Sequence, residues 1–272
     1  MSTTVPTPGL ETAEPRAVPL VPIAIVGVLA GFLAGLFGVG GGILIVPGLV
    51  IAAHMGQRRA HGTSLAAVVP VSVSSLVTYA AHDNVDWSVA VWLALGAVAG
   101  AVLGTRLLHV LPQRTLAILF TAVLVASALR LFFSPEADGR GDLSMATVLS
   151  LIAIGLLTGI LAGLLGVGGG IVMVPAMILV FGIPPVIAKG TSAAVIIPAA
   201  LMGTWRNRAN DNTDLRAAAV IGSAGIVTAV AGSAISDRMS DTVSNVLFAT
   251  LLLVVAARLA WGLRPSRDHA TT

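Results

Sequence analysis

An internal duplication constrains this chain more than any other feature of its sequence. Segment 31–47 (GFLAGLFGVGGGILIVP) returns as segment 159–175 (GILAGLLGVGGGIVMVP), and the two are identical at 13 of 17 positions. Two shorter motifs repeat with the same offset, namely Gly62-Thr63-Ser64 as Gly190-Thr191-Ser192 and Asp83-Asn84-x-Asp86 as Asp211-Asn212-x-Asp214. A duplicated apolar unit is typical of membrane transporters, whose site lies between the repeats.

The composition places the chain in a lipid environment. Hydrophobic residues make up 56% of the sequence and charged residues 10%, whereas about a quarter of the residues of a soluble domain are charged. The 15 basic residues are scattered between apolar runs and form no basic stripe, which excludes a nucleic-acid partner. The absence of cysteine excludes disulfides, thiolate metal sites and a cysteine nucleophile. We expect no metal and no cofactor.

Two of the apolar runs are too long to be single membrane helices. The runs at 20–54 and 146–181 would each be about 50 Å long as one helix, against a hydrocarbon core of about 30 Å. Each run is interrupted by the sequence GVGGG, and glycine in a helix interior costs about 1 kcal/mol relative to alanine. Each run therefore predicts either one broken crossing or two short segments that return to the starting side.

The distribution of basic residues favours the second arrangement. If each glycine-rich run returns to its own side, the second repeat is inverted, and the cytoplasmic side carries 11 basic residues against 4 outside. If each run crosses once, the repeats are parallel and the split is 6 to 9. The positive-inside rule favours inversion. We predict an all-α membrane protein of two inverted repeats, each with about five helical segments, and both termini in the cytoplasm.

This interpretation divides the chain into five parts. They are a disordered N-terminal tail (1–19), membrane repeat 1 (20–133), an inter-repeat loop (134–145), membrane repeat 2 (146–262) and a C-terminal tail (263–272).

The glycine-rich motif has two possible roles. Glycines allow close helix packing in lipid, and packing alone is one interpretation. The other is a break that turns the N-terminus of the next helix toward the bilayer midplane, where its backbone N–H groups and partial positive charge bind anions. A nucleotide-binding loop is excluded, because the P-loop lysine and a βαβ context are missing.

The Gly-Thr-Ser motifs and the residues before them are further candidates. Threonine and serine cap helix N-termini, and capping could be their whole role. Their hydroxyl groups also suit the coordination of an oxyanion. The motif follows His61 in the first repeat and Lys189, which is the only lysine of the chain, in the second.

The acidic residues point away from cation transport. Asp86 and Asp214 are expected to cap helices that begin at Trp87 and Leu215. All 12 acidic residues fall in tails or connecting loops of this segmentation. Cation pumps and many proton-coupled carriers keep a carboxylate within the membrane, so its absence favours an anionic substrate.

The paired GxxxGxxGxGGGxxxxP segments, each followed by an Ala-x-Gly-Thr-Ser element, resemble the TauE/SafE family of sulfite and organosulfonate permeases. The resemblance covers about residues 20–262 and implies a multi-pass inner-membrane protein, not an enzyme, that moves a small sulfur-containing anion. Together with the residue analysis, it predicts a substrate site of the following residues: Gly40, Gly41, Gly42, His61, Gly62, Thr63, Ser64, Gly168, Gly169, Gly170, Lys189, Gly190, Thr191 and Ser192.

We expect transport by alternating access, with one repeat rocking against the other. An anion channel, or a carrier of a different small anion, is the alternative. A membrane-embedded enzyme is disfavoured, because no cluster of His, Asp, Glu or Cys with suitable spacing lies on a predicted span.

Overall fold

A computed structural model describes residues 20–107, 113–132, 143–166 and 168–262. All elements in these ranges are α-helices: α1 (Leu20–Phe37), α2 (Gly42–Ala52), α3 (Gln57–Ala80), α4 (Trp87–Leu107), α5 (Gln113–Phe132), α6 (Met145–Leu165), α7 (Gly170–Phe181), α8 (Pro185–Arg208), α9 (Leu215–Asp237) and α10 (Asp241–Gly262). The all-α fold class and the five helical segments per half are confirmed. The predicted tails 1–19 and 263–272 and most of the loop 134–145 lie outside the described residues.

The duplication in sequence is a duplication of helices. Helices α3 and α8 begin and end at equivalent positions of the two repeats, and α2, α4 and α5 begin at the positions equivalent to the starts of α7, α9 and α10. Seven of the helices in the described ranges are long and apolar enough to cross a membrane. Among the shorter apolar helices are α2 and α7, of 11 and 12 residues. These two are about 16–18 Å long, roughly half of a hydrocarbon core.

The glycine-rich segments reverse the direction of the chain. Gly38, Gly40 and Gly41 have φ angles of 66°, 77° and 74°, in the left-handed region that costs other L-residues about 1–2 kcal/mol. Helix α2 then runs back along α1. A Cβ atom built on Gly41 would lie 2.7 Å from the Ala30 carbonyl oxygen, and one built on Gly48 would lie 2.6 Å from Val26 Cγ1, nearer the start of α1. The second repeat forms the same hairpin, with φ angles of 67°, 86° and 78° at Gly166, Gly168 and Gly169. Each glycine-rich run is therefore a long helix followed by a short returning helix.

The two repeats are interleaved. The first helix of each repeat packs in parallel along the fourth helix of the other, so that α1 lies beside α9 and α6 beside α4. Glycines on α1 and α4 face successive turns of their partners in the following pairs: Gly27–Ile221, Gly31–Gly225, Gly35–Ala229, Gly96–Ile152, Gly100–Leu156 and Gly104–Ile160. Small residues that recur at every fourth position let helix backbones approach closely in a membrane. Helices α3 and α8 lie against each other and against this framework.

Many large apolar side chains remain on the outside of the bundle. Val21, Val227 and Trp261 are each 72% exposed, which a soluble protein would avoid on this scale. Such a surface suits contact with lipid acyl chains. The inversion of the second repeat relative to the membrane stays a prediction.

Candidate functional site

The two glycine-rich loops meet at the centre of the bundle, between α3 and α8. Cβ atoms built on Gly40 and Gly168 would both contact Val68 and Ile196, which lie in the middle of these helices. The loops also touch each other, because a Cβ atom on Gly170 would lie 2.7 Å from the Gly38 carbonyl oxygen. The predicted glycine residues of the two GVGGG segments are thus brought into one buried cluster.

Two helix N-termini open into this cluster. Gly41 and Gly169 are the N-cap residues of α2 and α7 and offer no side chain to the first N–H groups of these helices. The first four N–H groups of any α-helix have no acceptor within the helix, and the terminus carries about half a positive charge. The arrangement presents backbone N–H donors from both repeats to a small anion.

The serines of the two Gly-Thr-Ser motifs face the glycine loops. Both Ser64 and Ser192 are fully buried. The Ser64 hydroxyl donates a hydrogen bond of 2.9 Å to the carbonyl oxygen of Gly166, in the opposite repeat. The Ser192 hydroxyl has no hydrogen-bond partner among the described residues. A Cβ atom built on Gly170 would lie 2.9 Å from the Ser192 Oγ atom, so this hydroxyl faces the start of α7.

The threonines point away from the serines, toward the Asp-Asn-x-Asp loop of the other repeat. Thr63 Oγ1 accepts a hydrogen bond of 2.9 Å from the Asp214 N–H, and Thr191 Oγ1 accepts one of 2.9 Å from the Asp86 N–H. Consecutive helix residues project about 100° apart, so neighbouring residues of one motif contact different partners.

The glycines of the same motifs make room for this contact. A Cβ atom on Gly62 would collide with the Asn212 carbonyl oxygen, and one on Gly190 would collide with that of Asn84. The structure therefore places Gly62, Thr63, Gly190 and Thr191 at the junctions between the repeats.

The aspartates of these loops cap helices, as predicted. Asp86 Oδ1 accepts a hydrogen bond from the Val89 N–H near the start of α4. Asp214 Oδ1 accepts from the N–H groups of Arg216 and Ala217 at the start of α9. Helices α4 and α9 begin at Trp87 and Leu215, the predicted residues.

The backbone of Lys189 contacts the glycine cluster, whereas its side chain extends away from the cluster. A Cβ atom on Gly38 would lie 2.6 Å from the Lys189 Cα atom. The fully buried ammonium group donates to Ser236 Oγ at 2.9 Å and to Ser244 Oγ at 2.6 Å, and it lies 5.6 Å from the centre of the Phe37 ring. The cation is therefore held on the α9–α10 side of the first glycine loop.

His61, the counterpart of Lys189, has a different environment. Its Nδ1 atom lies 3.1 Å from the Leu164 carbonyl oxygen, next to the second glycine loop, and the residue is partly buried. A Cβ atom on Gly166 would lie 2.9 Å from the His61 Cα atom. Both halves thus seat the residue before Gly-Thr-Ser against the glycine loop of the other half.

Three polar residues around the cluster were not among the predicted site residues. The buried Tyr79 hydroxyl donates a hydrogen bond of 2.6 Å to the Gly35 carbonyl oxygen, at the end of α1. Tyr79 is the only tyrosine in the chain. The other two are Ser236 and Ser244, the hydroxyl partners of Lys189. The sequence does distinguish these two serines. The equivalent positions of the first repeat are both leucine, so these serines, like Lys189, occur in the second repeat without a counterpart in the first.

The described part of the chain contains no group of three His, Asp or Glu side chains that could hold a metal ion. Its buried polar side chains are hydroxyls, one asparagine and one lysine.

These features define a multi-pass helical membrane protein with a pair of broken helices meeting at its centre, an architecture found among secondary transporters. A sequence model described as "Sulfite exporter TauE/SafE" matches residues 5–145 and 151–272. The chain belongs to the TauE/SafE sulfite exporter family and is a membrane transporter.

Relatives of similar length support this assignment. The probable membrane transporter protein YunE of Bacillus subtilis is 25% identical over 263 residues, which cover 88% of this chain and 96% of the relative. A probable membrane transporter protein of Xylella fastidiosa is 30% identical over 242 residues, covering 86% and 92%. The probable membrane transporter protein MJ0441 of Methanocaldococcus jannaschii is 30% identical over 198 residues, covering 71% and 73%.

Proposed function

We propose that the chain carries a small sulfur-containing anion, sulfite or an organosulfonate, across the inner membrane by alternating access, without a catalytic step. One observation carries this proposal: the N-termini of α2 and α7 open into the same buried cluster, between Gly38 and Gly170. Two converging N-termini supply N–H donors and a positive potential to a bound anion. This positive potential comes from the backbone, so it requires no acidic side chain in the protein to balance it.

The charge at the centre supports an anionic substrate. Among the described residues, the buried polar side chains include the cation Lys189 and no carboxylate. A cation at this place would meet two helix N-termini with partial charges of the same sign. An oxyanion would meet hydrogen-bond donors, among them the Ser192 hydroxyl.

Two contacts support the inverted arrangement of the repeats, and the positive-inside rule supports the placement of both termini in the cytoplasm. Arg59 Nη2 lies 2.9 Å from Asp214 Oδ2, so the start of α3 and the start of α9 lie at the same end of the bundle. The parallel arrangement would put these two ends on opposite sides of the membrane. The hairpin return of α2 along α1 likewise gives each repeat an odd number of crossings.

Binding is tested first on purified full-length protein, by thermal unfolding with sulfite, sulfate, thiosulfate, taurine, sulfoacetate and acetate, and with divalent cations as controls. A ligand that binds only the folded state at a hundred times its Kd stabilises it by about 2.7 kcal/mol. We expect stabilisation by sulfur oxyanions. Stabilisation by a divalent cation alone contradicts the proposal.

Transport is tested in proteoliposomes loaded with unlabelled sulfite. A carrier shows saturable uptake of labelled sulfite that increases with sulfite on the opposite side, because a returning loaded carrier replaces a returning empty one. With the membrane potential held at zero, an anion channel shows no such trans-stimulation. Flux without trans-stimulation therefore favours the channel and contradicts alternating access.

A further inference from the structure

The two halves of the central cluster carry the same motifs but differ in hydrogen bonding. Ser64 and Ser192 are equivalent residues, and the carbonyl groups of Gly166 and Gly38 are the equivalent acceptors. The Ser64 hydroxyl donates a hydrogen bond to the Gly166 carbonyl oxygen. The Ser192 hydroxyl, equally buried, has no partner in the described part of the chain. The two halves therefore differ in the hydrogen bonding of this serine because their conformations differ, although their motif residues are the same.

An unpartnered buried hydroxyl is costly, and two other buried serines of this protein avoid that cost within their own helices. Ser75 donates to the Val71 carbonyl oxygen one turn earlier at 3.1 Å, and Ser233 donates in the same way to Ala229 at 2.9 Å. Burying a polar group without a partner costs about 1–3 kcal/mol in proteins. Ser192 and Ser72 are not bonded in this way and have no partner among the described residues. Of the two, Ser192 is the one whose hydroxyl lies at the start of α7.

The surroundings of Ser192 indicate which kind of group suits its hydroxyl. The hydroxyl faces Gly170, the first residue of α7, where the N-terminal N–H groups of a 12-residue helix converge. A hydroxyl donor beside several N–H donors suits an acceptor with more than one oxygen atom.

We propose that Ser192, and not Ser64, donates a hydrogen bond to the transported oxyanion in this conformation, and that it forms the anion subsite together with the N-terminus of α7. This inference rests on the proposed function and deepens it by giving the subsite to one repeat. Ser64 holds the second glycine loop through Gly166 and contributes structure there.

The matched variants are Ser192→Ala and Ser64→Ala in the full-length chain, purified in detergent. Sulfite affinity is measured by calorimetric titration, and thermal stability is measured without ligand. A hydrogen bond to a charged group is worth enough that Ser192→Ala should weaken sulfite binding about tenfold or more. Its melting temperature should not fall below the wild-type value, because the lost hydroxyl bonds no described residue and its burial without a partner is unfavourable.

Ser64→Ala should show the reverse pattern. Loss of the bond to Gly166 should lower its melting temperature by about 2–4 °C, and its sulfite affinity should fall less than that of Ser192→Ala. Equal sulfite affinity in Ser192→Ala and wild type overturns the inference, and so does a melting temperature of ligand-free Ser192→Ala as low as that of Ser64→Ala.

The titration separates the inference from the function on which it rests. If the wild type binds sulfite and Ser192→Ala binds it as tightly, the substrate class stands and the subsite is wrong. If the wild type binds only a different anion, such as acetate, and Ser192→Ala weakens it, the subsite stands and the sulfur substrate is wrong. If the wild type binds no anion of the panel, both are wrong.

Discussion

Replacing Gly38 by alanine tests whether the centre of the bundle depends on glycine geometry. The φ angle of Gly38 is 66°, and a left-handed conformation costs an L-residue about 1–2 kcal/mol. The new Cβ atom would also lie 2.5 Å from the Lys189 carbonyl oxygen and 2.6 Å from its Cα atom. Because these are backbone atoms of a packed helix, overpacking adds about 1–3 kcal/mol. We therefore expect a destabilisation of about 2–5 kcal/mol.

The matched control is Gly56→Ala. Gly56, the N-cap residue of α3, has a φ angle of −59° that alanine adopts freely, and nothing lies within 4 Å of a Cβ atom built on it. Its stability should stay within about 1 kcal/mol of the wild type, because alanine caps a helix less well than glycine but restricts the unfolded chain more, and the two effects oppose each other.

Both variants are compared by thermal unfolding in detergent at one scan rate. For a chain of this size, the expected loss in Gly38→Ala corresponds to a fall in apparent Tm of roughly 5–20 °C. If Gly38→Ala unfolds at the temperature of Gly56→Ala, the glycine loop does not pack on α8 as described.

Three further changes have definite expected outcomes. Thr63→Val leaves the Asp214 N–H without its acceptor and should cost about 1–3 kcal/mol in thermal unfolding; unchanged stability with lost sulfite binding would show that the hydroxyl serves the substrate instead. Lys189→Met removes the donor that bonds the buried Ser236 and Ser244 hydroxyls and should cost about 1–3 kcal/mol in thermal unfolding; an unchanged Tm would show that these two hydrogen bonds give no net stabilisation. Single cysteines at Ser2 and Ser266, in a chain without cysteine, should both be labelled by an impermeant thiol reagent only from the cytoplasmic side; labelling of one from outside contradicts the inverted topology.

The helices and the broken segments could be predicted because their causes are local. Runs of apolar residues of membrane length define the spans, and consecutive glycines interrupt a helix in any context. Capping by Asp86 and Asp214 was predictable for the same reason, since a cap bonds N–H groups two or three residues away.

The partners of the site residues depend on tertiary packing and could not be predicted in this way. Nothing in the sequence shows that Thr63 faces the Asp214 loop while Ser64 faces Gly166, because that depends on how α3 is rotated against its neighbours. The serine partners of Lys189 likewise come from two other helices, α9 and α10, much further along the chain. The difference between Ser64 and Ser192 has no local sequence signal at all, because the two Gly-Thr-Ser motifs are identical.

The parallel glycine contacts of α1 with α9 and of α4 with α6 have a consequence for how such a chain arose. Each repeat presents a glycine face on its first helix that fits the fourth helix of the other repeat and not its own. A single repeat is therefore incomplete by itself, and in the inverted arrangement proposed above a second copy in the opposite orientation completes it. In that arrangement the chain corresponds to two antiparallel copies of one repeat joined through the loop 134–145, and residues 20–133 produced alone should form a dimer.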